Sequence, residues 1–136
     1  MNVEIELQKA LFSALSSPAY TVKDGWYTEE SLPLINIGDM EVEDGQSKVN
    51  DDWYVNVSVH SWSSSKGSTE IKNMNHHIRQ GLDNVSIPGY RVTGKLIRTA
   101  TLKETQQQDT RAVTETLYHG VTFYRFYILK EELAHG

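Results

Sequence analysis

The stretch that decides the fold is WYVNVSVHSWSSSKGSTEIKNMNHHIRQGL, residues 53–82. Its first eight residues alternate apolar and polar side chains, which is typical of a β-strand with one face on a core. A serine- and glycine-rich segment, 61–68, interrupts the alternation and ends at Ser68, a predicted N-cap. Four apolar residues then recur at helical spacing: Ile71, Met74, Ile78 and Leu82. The stretch therefore predicts a strand that leads through a short loop into an amphipathic helix.

The residues before this stretch predict a helix, two strands and a loop. An apolar stripe over residues 3–15 has the spacing of an amphipathic helix, and the Pro18 region ends it. Short apolar runs at 20–22 and 33–37 predict strands. Residues 39–52 are acidic, contain Gly45 and have few apolar side chains. They are interpreted as a long loop, which at this length is functional or partly disordered.

The residues after the stretch predict a long C-terminal β-hairpin. Strand-like segments cover 90–104 and 113–129, and the polar segment 106–110 joins them. The last strand is apolar on both faces, which predicts a position inside the sheet. The predicted fold is α+β: an antiparallel β-sheet with two α-helices packed on one face, a long loop 39–52 and this hairpin. A length of 136 residues fits one domain, 1–136.

Composition excludes several classes of protein. Hydrophobic residues make up 38% and charged residues 23% of the chain, as in a globular protein. The chain has no cysteine, which excludes disulfides and thiolate metal sites. The N-terminus lacks the basic start and apolar run of a signal peptide. No run approaches the roughly 20 apolar residues that cross a bilayer, so no membrane partner is predicted.

Charge is unevenly distributed along the chain. The net charge of the whole chain is −5. One segment has the same net charge by itself, since Lys48 opposes six acids: Asp39, Glu41, Glu43, Asp44, Asp51 and Asp52. A later segment is basic, with Glu104 and Asp109 opposing five cations: Arg91, Lys95, Arg98, Lys103 and Arg111. The overall acidity argues against direct nucleic-acid recognition, which needs clustered cations.

No pattern of catalytic or metal-binding residues stands out. His76 and His77 are neighbours on a predicted helix and cannot form the i, i+4 pair that binds zinc. His60 and His119 lie on predicted strands and are interpreted as packed or sheet-surface residues. Neither a G-x-S-x-G elbow nor a phosphate-binding glycine loop is present. The sequence predicts no catalytic residue, no cofactor and no metal.

The order of these elements resembles a known family. A β-strand runs into the sequence His60-Ser61-Trp62-Ser63, a small polar loop follows, and Glu70-Ile71 opens a helix. This arrangement resembles the tail-completion family of siphophages, also described as tail-to-head joining or tail terminator proteins. The N-terminal helix, which includes residues 6–11, and the closing strand pair are similar as well, so the likeness spans nearly the whole chain.

The resemblance implies a non-catalytic virion protein. It implies a ring, typically a hexamer, at the head-proximal end of the tail, with the tail tube protein and a head-completion or connector protein as partners. Assembly would take place in the host cytoplasm. Trp62, Ser63 and Ile71 match motif positions that are interpreted as structural, with Trp62 expected to pack where the strand meets the helix.

The charge pattern gives the ring a candidate contact. Head-to-tail contacts need two different patches on each subunit, and the segments 39–52 and 91–111 are candidates for them. Alternatively, the acidic segment faces the neighbouring tail or head ring. Two other functions are left open. One is a different phage particle subunit, related to the tail tube or to head completion. The other is a small ligand-binding domain or enzyme.

Overall fold

The computed structural model of the chain describes residues 1–24, 32–45, 51–64, 66–108 and 113–131. Its helices and strands are, in chain order, α1 (Val3–Leu15), β1 (Thr21–Asp24), β2 (Leu34–Asp44), β3 (Asp52–Ser63), α2 (Thr69–Leu82), β4 (Tyr90–Gln108) and β5 (Val113–Lys130). Arg111, part of the predicted hairpin connection and the tail after Glu131 lie outside the described ranges. Both predicted helices and the long closing strand pair are confirmed.

The five strands form one sheet in the order β1-β2-β3-β5-β4. The pairs β2–β3, β3–β5 and β5–β4 are antiparallel, and β5 lies inside the sheet as predicted. The α+β class is confirmed. The expectation of a purely antiparallel sheet is wrong, because β1 pairs with β2 in parallel. The direction of that pairing depends on how the connecting segment returns the chain, and the residues of the two strands carry no signature of it.

The predicted loop 39–52 is also wrong over residues 39–44, and its residues 46–50 lie outside the described ranges. Residues 39–44 continue β2, with Met40 opposite Val57 and Val42 opposite Val55 on β3. A β-bulge lies between Ile37 and Met40. Backbone hydrogen bonds hold this half of the strand in the sheet, and they do not require apolar side chains. The charged side chains are compatible with a strand because they are exposed to solvent.

The two helices cover one face of the sheet, as predicted, and this face is called the helix face below. The helices bury Val3, Leu7, Leu11, Leu15, Ile71, Met74, Ile78 and Leu82 against Ile35, Ile37, Val55, Val57, Val59, Tyr124, Phe126 and Ile128 of the sheet. Burial of one such side chain stabilises the fold by about 1.5–3 kcal/mol. The apolar periodicity of the helices and of β3 thus produces the core between the helices and the sheet.

Local contacts fix the ends of the helices. The Asn2 side chain caps α1, its Oδ1 accepting a hydrogen bond from Ile5 N at 3.2 Å. Ser68 occupies the N-cap position of α2, although its side chain makes no capping hydrogen bond. The imidazole Nε2 of His77 lies 2.9 Å from the carbonyl oxygen of Leu15. His77 therefore joins α2 to the end of α1.

A polar bridge connects α2 to three strands at one end of the core. Asn75 of α2 is buried, and its Oδ1 accepts from Ser61 Oγ at 2.8 Å. Its Nδ2 donates to Thr101 Oγ1 at 3.0 Å. Beneath it lies Gly120 of β5, where a Cβ would come within 2.3 Å of both Asn75 Oδ1 and Ser61 Oγ. The helix can approach the sheet this closely because position 120 has no side chain.

Candidate functional site

The face of the sheet away from the helices, called the opposite face below, carries a stack of rings from β3 and β5. The Trp62 and His119 rings are parallel within 6°, with centroids 3.8 Å apart, and the His60 ring lies edge to edge with His119, with centroids 5.0 Å apart. His60 Nδ1 lies 2.8 Å from His119 Nε2, and His119 Nδ1 lies 2.9 Å from Glu104 Oε1. Trp62 Nε1 donates to Asn36 Oδ1 at 3.3 Å. The stack therefore connects four strands.

The hydrogen bonds of this stack indicate which imidazole nitrogens donate a proton and which accept one. With both imidazoles neutral, His119 donates from Nδ1 to Glu104 and accepts at Nε2 from His60. Burial, and then the proximity of His119, hold the pKa of His60 below its ordinary value. Both nitrogens of His119 are occupied and one of its ring faces is covered by Trp62. The arrangement thus favours packed side chains over a free base.

Nothing in the sequence indicates that these two histidines meet. His60 and His119 are 59 residues apart. They come together because β3 pairs with β5 in a register that puts Trp62 opposite His119, and because His60 lies two residues from Trp62 on the same face. The only sequence signal was their placement on predicted strands. That placement does not predict a contact unless the register between the strands is known.

The three motif positions lie in two different environments. Ser63 Oγ donates to Glu70 Oε1 at 2.6 Å, which joins the end of β3 to the first turn of α2. Ile71 is fully buried in the core. The expectation that Trp62 packs at this strand-to-helix corner is wrong, since its ring lies on the opposite face. Successive strand side chains point to opposite faces, so Trp62 must point away from α2 when Ser61 and Ser63 point toward it.

A second group of side chains on the opposite face links β2, β3 and β5. The Tyr54 and Tyr127 rings lie 4.7 Å apart. The Arg125 guanidinium lies 4.5 Å from the centre of the Tyr54 ring and donates to Glu43 Oε2 at 3.1 Å. Tyr127 donates its hydroxyl to Asp52 Oδ2 at 2.7 Å, and this bond is the main cause that raises the pKa of Tyr127 to about 12. Asp52 is therefore committed to a contact within the subunit.

Most of the predicted acidic residues lie along one edge of the sheet. Asp39, Glu41, Glu43 and Asp44 are exposed on the outer half of β2. Strand β1 pairs only with residues 34–37, so within the described ranges no strand pairs with the outer side of β2 beyond them. Residues 38–44 are called the acidic edge below. Asp51 is half-buried just before β3, and Asp52 is only 1% exposed, so both are left out of this edge.

The predicted basic residues lie along the other edge of the sheet. Arg91, Lys95, Arg98 and Lys103 are exposed on β4, which pairs with β5 on its inner side. In the part of the chain that the structure describes, no strand pairs with the outer side of β4. Residues 91–103 are called the basic edge below. The two oppositely charged segments are thus separated by the width of the sheet.

Exposed apolar side chains accompany the charges on both edges. Six large hydrophobic residues are exposed in the described parts of the chain, and four of them lie on the edges: Val42, Leu96, Ile97 and Leu102. Val42 stands between Glu41 and Glu43, and Leu96 follows Lys95. A mixture of charged and apolar exposed groups is typical of a contact surface.

Two further properties concern only the residues that the structure describes. No group of three or more His, Cys, Asp or Glu side chains is placed to hold a metal ion among them. Neither helix in those ranges has the length and apolar character required to cross a membrane.

Fold and edges together define a small α+β protein with one mixed five-stranded sheet and two unlike sheet edges. Residues 9–129 match the model of the family described as Tail completion protein gp17. The chain belongs to this family of phage tail proteins. The comparison with curated proteins gives no match.

Solved structures share the fold. The structure of the bacteriophage SPP1 gp17 protein is 19% identical, with a TM-score of 0.57, and the match covers 93% of this chain and 91% of that one. A chain in the virion of a native gene transfer agent particle is 9% identical, with a TM-score of 0.54 and coverage of 93% and 94%. One is a bacteriophage protein and the other is a chain of a gene transfer agent virion. The similarity extends over nearly the whole chain in each case.

Proposed function

We propose that this protein is a non-catalytic structural subunit that forms a ring at the head-proximal end of a phage tail, completes the tail and joins it to the head connector. Membership of the tail completion family supports the place in the tail. The observation that carries the ring is the location of opposite charges on opposite edges of one sheet. The protein would act as part of the virion after assembly in the host cytoplasm.

The charge arrangement supports head-to-tail assembly over two-fold contacts between like edges. Two acidic edges repel each other, and so do two basic edges, whereas an acidic edge attracts a basic one. Each subunit therefore favours one neighbour on each side, which is the head-to-tail contact that generates closed rings. Six subunits, as expected from the resemblance, would form such a ring.

The remaining partners follow from the place in the tail. A ring at the end of the tail would contact the tail tube protein on one side and a head-completion or connector protein on the other. The histidine stack supports a non-catalytic protein, because the nitrogens of His119 are hydrogen-bonded to His60 and Glu104. The net charge of −5 argues against direct nucleic-acid recognition.

Deletion of the gene from a phage that encodes the protein tests the proposal. Electron microscopy of the lysate should show filled heads and separate tails, and the wild-type protein supplied in trans should restore joined, infectious particles. The Glu41→Lys/Glu43→Lys variant should fail to restore joining. Glu4→Lys/Glu6→Lys, which changes the same charge on α1, serves as the control and should restore it. Joined particles in the absence of the protein would contradict the proposal.

A second candidate is another subunit of the particle. The fold is shared about equally with a chain of the gene transfer agent virion. That likeness supports a place in a virion but does not indicate which position in it. The same deletion separates the candidates. A tail-tube-related subunit predicts that no tails form, and a head-completion subunit predicts heads that lose their DNA while tails remain intact.

A further inference from the structure

We propose that neighbouring subunits join by antiparallel strand pairing, in which the acidic edge of one copy of this chain adds to the basic edge of the next and makes their sheets continuous. This inference rests on the proposed ring and names its contact. The positions that meet are Glu41, Val42 and Glu43 on β2 and Lys95, Leu96 and Arg98 on β4.

Strand direction supports the pairing. Strands β2 and β3, β3 and β5, and β5 and β4 are antiparallel in turn, so β2 and β4 run in opposite directions within one subunit. Rotation about a ring axis that runs along the strands preserves these directions. The β2 strand of one subunit and the β4 strand of the next therefore meet as an antiparallel pair, which needs no crossover connection.

Backbone groups are available on both edges. The outer sides of residues 38–44 and of β4 have no strand partner within the described ranges. An edge of this kind presents a row of backbone donors and acceptors that can pair with another strand. Side-chain charge determines which strand is accepted, because only the unlike edge brings attraction.

The charged side chains that would meet also lie on the same face of the sheet. Glu43 lies on the opposite face, where it contacts Arg125, and Glu41 lies on the same face two residues away. Arg98 is on that face too, since its guanidinium lies 4.4 Å from the centre of the Phe123 ring. Lys95 pairs in register with Arg125 and shares its face. Because ring symmetry turns the same face of every sheet the same way, the carboxylates of one subunit meet the cations of the next.

A β-bulge sets the register of the contact. When Val42 is placed opposite Leu96, on the helix face, Glu43 falls opposite Lys95. Because of the bulge between Leu96 and Arg98, Ile97 has no register partner on β5. Arg98 then falls opposite Glu41, and the contact contains two ion pairs around one apolar pair. A slip of one residue would place charges against apolar side chains on the wrong faces.

An exchange of charge between the edges tests the choice of edges. Glu41→Lys/Glu43→Lys has cations at the contact positions of both edges, and Lys95→Glu/Arg98→Glu has carboxylates at the contact positions of both edges. Each variant alone should remain monomeric in light scattering at low salt, and a one-to-one mixture should assemble, because both of its alternating contacts pair unlike charges. Glu4→Lys/Glu6→Lys, with the same charge change on α1, should behave as wild type. Assembly of either edge variant alone would overturn the proposal.

Cysteine cross-linking tests the strand pairing itself. The chain has no cysteine, so Val42→Cys/Leu96→Cys introduces the only thiols. The two positions lie three strand spacings apart in one subunit, about 14 Å, which is too far for an internal disulfide. Oxidation at the highest soluble concentration should give a ladder of linked oligomers. The control Val42→Cys/Ile5→Cys, whose second thiol is on α1, should give no ladder.

The outcomes separate this inference from the proposed function. Assembly of the mixed charge variants without a Val42→Cys/Leu96→Cys ladder would contradict strand pairing and leave a charge-driven ring. The absence of both would overturn the edge contact altogether. The proposed function is judged independently by whether deletion of the gene leaves heads and tails unjoined.

Discussion

The two faces of β5 carry two kinds of contact. Toward the helices, Phe126 is fully buried in the apolar core. On the opposite face, Phe123 is half-buried beneath the guanidinium of Arg98. The same strand thus contributes dry packing on one side and aromatic, charged contacts on the other. The comparison indicates that stability depends mainly on the helix face, while the opposite face and the edges are available for other copies and partners.

The largest expected difference in stability is between truncations of the Phe126 and Phe123 side chains. Phe126→Ala should lower the free energy of unfolding by about 4 kcal/mol, because it removes a buried ring and leaves a cavity. The matched variant Phe123→Ala should cost about 1 kcal/mol, because that site is partly open to water. Urea unfolding followed by circular dichroism measures both. Equal losses would contradict the view that the helix face contributes more to stability than the opposite face.

An intermediate effect is expected where α2 comes closest to the sheet. Gly120→Ala would place a methyl group against Asn75 Oδ1 and Ser61 Oγ, which are buried and bonded to each other. We expect a loss of about 2 kcal/mol, typical of overpacking. Gly67→Ala is the control, since no atom lies within 4 Å of the added carbon, and it should change stability by less than about 0.5 kcal/mol. A smaller loss at position 120 than at 67 would show that the contact adjusts freely.

The smallest effect is expected from the histidine stack and depends on pH. Burial and His119 lower the pKa of His60 below 6.5, while Asp39 and Glu104 act in the other direction. The unfolded chain therefore binds more protons than the folded one below pH 6.5, and stability should decrease as the pH falls through that value. Melting temperatures between pH 8 and pH 5 should fall less steeply for His60→Gln than for wild type. Identical slopes would exclude a role for His60.

The sequence predicted the helix face well because apolar periodicity determines it. The stripe over residues 3–15 and the alternation over 53–60 correspond to α1 and β3 within a few residues. These signals arise from side chains close together in the chain, which is the information that a single sequence contains. The long closing strand pair was predicted for the same reason.

The acidic edge was predicted in charge and missed in structure. The outer half of β2 alternates Met40 and Val42 with Glu41 and Glu43, a strand pattern that the acidity and Gly45 obscured. The charges themselves decided the loop interpretation, although an exposed strand accepts charged side chains on positions that water reaches. The parallel position of β1 could not be predicted, because it depends on the path of the connecting chain.

Contacts on the opposite face could not be predicted from sequence. The direction of Trp62 depends on which neighbours face α2, and the meeting of His60 with His119 depends on the register between β3 and β5. A shift of one residue in that register would separate the two rings. Pairing between distant segments thus brings these side chains together, and local sequence patterns do not predict such contacts.

The placement of β2 and β4 at opposite borders has a consequence for the shape of any ring built from them. A ring closed through two unlike borders has rotational symmetry alone, without the perpendicular two-fold axes that make the top and bottom of an assembly the same. All its β2 strands point toward one rim, so the two rims present different residues. An adaptor between two dissimilar structures requires that inequality, and here it would follow from the order of five strands.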